Sequence, residues 1–240
     1  MQFFIFVLLI CLFIFLYCVY VLSNDDFIFL RTDVTMEKIF NMIFIGILPS
    51  LVISRLFYGI LHTKAILSNF WTFILIPYHP GLSLLGAVVG VGGYFLFLAV
   101  RRKDSFPLER IFDFFSIAFS ISLPIGFLGY LLFSVTRIEM IKVAIQAVIY
   151  FIIFIIFLKF FLNRLLTGKF KEGTISLLFL IFFSAVNLAV NVFTKVSLLG
   201  YFKNSENLVL IFILLLATGM AVWHENLIGK KPAKKGSNGA

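Results

Sequence analysis

The stretch from Gln2 to Leu22, QFFIFVLLICLFIFLYCVYVL, contains no charged residue. At 1.5 Å per residue, about 20 apolar residues in a helix cross the roughly 30 Å hydrocarbon core of a bilayer. Lipid offers the backbone no hydrogen-bond partner, so a spanning segment must satisfy its own amides. Six more runs of this kind follow, at 39 to 61, 81 to 100, 111 to 134, 141 to 162, 174 to 193 and 207 to 228. The chain therefore reads as an all-α integral membrane protein of seven transmembrane helices. Residues 1–228 form one transmembrane domain, and 229–240 form a basic, disordered tail. An eighth apolar patch, Phe70 to Pro77, is too short to cross and reads as an interfacial or re-entrant piece.

Composition points the same way. The chain is 62% hydrophobic and only 13% charged, with a mean hydropathy of +1.10. That leaves too little polar surface for a water-soluble globule and too much apolar side chain for a disordered one. The first run lacks a positive n-region and a small-residue cleavage motif before Asp25 and Asp26, so it is expected to stay as a helix rather than leave as a signal peptide. Cys11 and Cys18 share one face of that helix and cannot bridge each other without unwinding it. The histidines, His62, His79 and His224, have no cysteine or carboxylate cluster at ligand spacing, so neither a metal nor a cofactor is expected.

The net charge of +9 is spread between the apolar runs, a pattern that fits an anionic leaflet better than nucleic acid. One set of alternate loops carries Arg31, Lys38, Arg101, Arg102, Lys103, Arg110, Lys159, Arg164, Lys169, Lys171, Lys230, Lys231, Lys234 and Lys235. The other set carries only Lys64, Arg137, Lys142, Lys195 and Lys203. By the positive-inside rule the amino terminus faces outward and the carboxyl tail lies in the cytoplasm, in a multi-pass protein of the cell membrane.

The remaining basic residue, Arg55, falls inside the second span. A charge there is costly and by default a functional candidate. Its guanidinium either snorkels outward or holds a lipid phosphate or a counter-charge, in a helix loosened by Pro49 and Ser50. Gly86, Gly90 and Gly93 line one face of the third span, with Gly81 and Ser83 at its entry. That face admits another helix or an acyl chain. In the fourth span Asp113 follows Arg110 by three residues, the spacing of a local ion pair, and Pro124 is expected to kink the helix beside Gly126 and Gly129. Lys142, Gln146 and Tyr150 make a polar stripe on the fifth span, and Ser184, Asn187 and Asn191 make one on the sixth. The stripes either bond helix to helix or line one cavity with Arg55.

In this order the features resemble the bacterial prolipoprotein diacylglyceryl transferases. The likeness runs through Ile53 to Tyr58, Pro80 to Gly90, Val100 to Lys103, Asp113, Leu123 to Gly129 and Gly173 to Phe179. The resemblance implies a seven-span fold and an enzyme that moves diacylglyceryl from phosphatidylglycerol to the cysteine thiol of a lipoprotein precursor. The residue readings and the resemblance together give an expected lipid-binding set of Arg55, Tyr58, Gly81, Ser83, Gly86, Gly90, Gly126, Asn187 and Asn191, with Asp113, Lys142 and Gln146 as structural polar residues. The chain departs from the family where chemistry is concentrated. Leu85 stands where the family has histidine, Phe127 and Tyr130 where it has arginine and asparagine, and Asn187 and Asn191 where it has arginine and glutamate. Thr136, Arg137, Ile141 and Lys142 replace its His-Pro and Tyr-Glu positions. Loss of one preorganised charge stabiliser commonly costs about 10² to 10³ in rate. Three functions therefore stand: a transferase-like protein with a degraded active site, a non-catalytic lipid-binding or assembly subunit, and a small transporter.

Overall fold

The computed structural model describes residues 2–24, 26–32, 34–61, 73, 81–101, 107–132, 136–192 and 204–225. Among them the secondary structure is helical: α1 (Gln2–Asn24), α2 (Phe27–Arg31), α3 (Met36–Leu61), α4 (Leu84–Arg101), α5 (Leu108–Leu131), α6 (Arg137–Ile156), α7 (Leu162–Leu166), α8 (Thr174–Val192) and α9 (Ser205–His224). A π-helical turn, Phe157–Phe161, joins α6 to α7, so the two form one long span. Seven helices are long and apolar enough to cross a membrane, the architecture of a multi-pass membrane protein. The patch from Phe70 to Pro77, apart from Phe73, and the tail from 229 lie outside the described residues.

The helices assemble as packed pairs around α5, the most buried span, which touches α1, α6 and α8. Its small residues explain that place. Ser116, Ser120 and Ser122 return their hydroxyls to the carbonyls of Phe112, Ile117 and Ala118 on their own helix, so neighbours can approach without stranding a polar group. The second tight pair is α3 with α4. A Cβ on Gly86 would stand 2.8 Å from the Cα of Ser54, and one on Gly90 would stand 2.8 Å from the Cα of Ser50. These two glycines thus serve backbone-to-backbone packing, whereas Gly93 has open space beside it.

The turns at the lysine- and arginine-rich end are tied by ionic and capping bonds. Asp26 caps α2, accepting the amides of Ile28 and Phe29. It also receives the Arg110 guanidinium, with Nη2 to Oδ2 at 2.6 Å and Nε at 3.0 Å from both oxygens. Arg110 therefore pairs with Asp26, and at 3.5 Å with Glu172, rather than with Asp113 as its sequence spacing suggested. Asp113 is taken up elsewhere: its carboxylate accepts the amides of Gly173 at 2.7 Å and Ser176 at 2.8 Å. From α5 it thus caps α8, whose N-terminal amides and positive dipole end favour a carboxylate. Gly173, at φ +89°, supplies the left-handed backbone that aims one of those amides.

α4 begins three residues later than the apolar run, because Gly81 to Ser83 are non-helical. A Cβ on Gly81 would overlap the ring of Tyr58. α3 continues through Pro49 and α5 through Pro124 as single helices.

Candidate functional site

The polar residues inside the spans form two separate groups. The first surrounds Arg55, which is 1% exposed. Its Nε donates to the carbonyl of Phe73 at 3.3 Å and its Nη1 to the carbonyl of Gly81 at 2.6 Å. Ser54 and Ser83 bond each other reciprocally, hydroxyl to carbonyl at 2.8 Å and carbonyl to amide at 3.2 Å. The Ser83 hydroxyl caps α4 at the Gly86 amide. The guanidinium thus neither reaches out to water nor lies on bare lipid. It binds the carbonyl of Phe73 and that of Gly81, which belongs to the non-helical Gly81–Ser83 segment before α4.

The second group is a ladder between α6, α8 and α9. Lys142 Nζ donates to Asn191 Oδ1 at 2.9 Å, and Asn191 Nδ2 donates to Asn207 Oδ1 at 2.8 Å. One turn along, Gln146 Nε2 donates to Asn187 Oδ1 at 3.1 Å, and Asn187 Nδ2 donates to the Tyr150 hydroxyl at 2.8 Å. The two stripes bond helix to helix, and Ser184 is their exception, a buried hydroxyl without a partner among the described residues. Asn207 had no stripe of its own to mark it in the sequence.

A cavity of about 240 Å³ lies between α1, α3, α4, α5 and α8, and among the described residues neither Arg55 nor a ladder residue lines it. Arg55 and the ladder residues are each bonded to local partners instead. The cavity wall is apolar. At one end stand Cys11, Ser50, Leu51, Ala87 and Ser122, and at the other Met42, Tyr94, Phe95, Phe112 and Phe115. Its small polar side chains turn inward to the backbone: Ser50 donates to the carbonyl of Ala87, Ser116 to Phe112, Ser122 to Cys11 and Ala118, and the Cys11 thiol to Ser122. Phe95 stacks on Phe112 with centroids 4.5 Å apart and meets Phe115 edge-on at 5.3 Å, while Phe15 meets Phe115 at 5.5 Å. The sequence offered no sign of this chamber, since five separate helices contribute to it.

Leu85 and Phe127, two residues the sequence singled out, serve packing. Leu85 is in the core. Phe127 stacks on Tyr150 at 5.6 Å, and Gly126 faces Cys11 on α1. Among the described residues no three His, Cys, Asp or Glu side chains gather as a metal site.

A third cluster lies at the end of α9. His224 Nε2 is 3.8 Å from Glu109 Oε2, Lys171 donates to the His224 carbonyl, and Glu225 accepts from the Thr174 hydroxyl and the Lys171 amide. Partial burial pushes the Glu225 carboxyl up, but the Thr174 and Lys171 bonds and the charges of His224 and Lys171 outweigh it and hold the group below the usual carboxylate range.

No family model, curated protein or solved structure matches the chain.

Proposed function

We propose that the protein is a non-catalytic lipid-binding subunit of the cell membrane, amino terminus outward, built on a scaffold like that of the diacylglyceryl transferases. It holds a phospholipid, with phosphatidylglycerol the first candidate, by placing hydrocarbon in the five-helix cavity. The observation that carries this reading is the cavity wall, in which Cys11, Ser50, Ser116 and Ser122 all spend their protons on backbone carbonyls. A ligand there finds no hydroxyl or thiol proton to accept from these four residues and gains contact mainly through apolar atoms. The headgroup stays outside the cavity.

The same geometry argues against thiol chemistry. A transferase needs a base and preorganised cations near one reacting centre. Here Arg55 is bonded to carbonyls, Arg110 is paired with Asp26, and Lys142 is bonded to Asn191. The experiment is native mass spectrometry of the full chain released from phosphatidylglycerol-containing micelles. Retention of lipid by the wild type, and its loss in Ala87→Phe, supports the reading. A chain that carries no lipid overturns it. Rescue of lipoprotein lipidation in cells depleted of the family enzyme would instead favour the transferase reading.

A further inference from the structure

The shape of the cavity narrows the ligand further, on the premise that the cavity binds lipid at all. We infer that it takes a single unbranched alkyl segment of about ten carbons in single file, excluding two chains side by side and methyl-branched chains.

Two independent measures agree. The first is volume. An apolar cavity of roughly 150 Å³ holds one benzene, or about 25 Å³ per carbon, so the 240 Å³ here corresponds to about ten carbons. The second is length. The lining runs from Ala87 to Phe95 on α4, from Ser50 to Met42 on α3 and from Ser122 to Phe112 on α5. At 1.5 Å per residue these spans are about 12 to 15 Å. A staggered chain of roughly 1.52 Å bonds advances about 1.25 Å per carbon, so it needs about ten to twelve carbons to cover that distance. Had the cavity been wide enough for two chains, the volume would have called for about twice as many carbons as the length.

The chemistry of the two ends fits a chain rather than a headgroup. One end is lined by the rings of Phe95, Phe112 and Phe115, and the other by Cys11 and Ser122, whose protons go to carbonyls. Among the described residues no charged side chain lines the cavity. α4 and α5 come together mainly where Phe95 packs on Phe112 and Phe115, and a second chain of the same lipid would stay outside the cavity. The alkyl segment belongs either to a two-chain phospholipid or to a single-chain amphiphile such as a fatty acid.

The test uses the full chain in nanodiscs of diphytanoyl phosphatidylcholine, whose chains are branched. The discs are doped with phosphatidylglycerol carrying a diazirine near the end of one straight chain, irradiated, and mapped by mass spectrometry. Adducts are expected on lining residues such as Phe95, Phe112 and Phe115. A tenfold excess of unlabelled straight-chain phosphatidylglycerol lowers them about tenfold by mass action, and the same excess of diphytanoyl phosphatidylglycerol leaves them unchanged. Competition by straight two-chain lipid identifies a phospholipid as the source. Competition by palmitate alone identifies a single-chain amphiphile, and either result upholds the single-file segment. Equal competition by straight and branched lipids overturns it while leaving lipid binding intact. Adducts confined to outward residues such as Leu96 and Phe97 overturn lipid binding in the cavity as well.

Discussion

The buried pair between Asp26 and Arg110 gives the most exposed prediction about the fold. Three contacts of 2.6 to 3.0 Å join the side chains, which are 0% and 6% exposed. Removing the Asp26 charge leaves Arg110 buried with Glu172 at 3.5 Å and the face of Phe114 at 5.8 Å, and removing Arg110 leaves the Asp26 carboxylate with the amides of Ile28 and Phe29. Breaking a buried pair in this way costs about 3–5 kcal/mol. Asp26→Asn is the preferred perturbation, because its side-chain oxygen can still cap α2 while the charge is removed. Arg110→Met removes the other charge, and the double variant removes both. For a chain of this size about 1 kcal/mol shifts the melting point by roughly 2–4 °C, so each single variant should melt about 6–20 °C lower. The double variant should lie near one single variant rather than at their sum, since no unpaired charge remains. Thermal unfolding in detergent, followed by fluorescence-detected size exclusion, reads all four proteins. Single losses below about 1 kcal/mol that simply add would match a solvent-exposed pair, and the account of how α1, α2 and α5 are joined would be refuted.

Other substitutions test the remaining contacts. Gly86→Ala forces a methyl to 2.8 Å from the backbone of Ser54 and should cost about 1–3 kcal/mol in the same assay, whereas Gly93→Ala, with open space beside it, should not. Gln146→Leu removes one rung of the ladder and should cost about 0.6 kcal/mol, the average for an interhelical hydrogen bond in a membrane; a loss of several kcal/mol would mean that the ladder does more than join helices. Arg55→Met removes the bonds to the carbonyls of Phe73 and Gly81 and should expose the Gly81–Ser83 segment to faster amide exchange without weakening lipid retention. Glu225 has a folded pKa below its ordinary value of about 4.3, so it stabilises the folded form fully above that value and loses this effect as pH falls through the folded pKa. A nitroxide at Trp223→Cys, in a background with Cys11 and Cys18 replaced by serine, should therefore gain mobility on acidification, and unchanged spectra would count against a role for Glu225 in holding the end of α9.

The spans were legible because each is fixed by a local property, the length of an apolar run. The boundaries were less so: α4 starts at Leu84 because the Gly81–Ser83 turn is held by Arg55 and Ser54, which are remote in sequence. The stripes of Lys142, Gln146 and Tyr150 and of Asn187 and Asn191 were legible too, since a four-residue spacing places side chains on one helix face. Their mutual bonding followed from the need to satisfy polar groups in lipid. Asp113 was misread, because spacing shows which residues could meet along one helix and not that α8 would present its amino end to α5. The partner of Arg110 was missed for the same reason, lying 84 positions away at Asp26. The cavity was invisible, being a gap among five helices, and no single stretch of Phe, Leu and Val records where packing leaves space.

The most direct test of lipid in the cavity uses the two thiols as reporters. Cys11 lines the cavity and Cys18 does not. In diphytanoyl nanodiscs the rate of Cys11 alkylation by a lipophilic maleimide is measured against that of Cys18 as straight-chain phosphatidylglycerol is added. Occupancy of the cavity predicts that Cys11 slows in proportion to bound lipid while Cys18 keeps its rate. Equal rates for Cys11 with and without the lipid would contradict it.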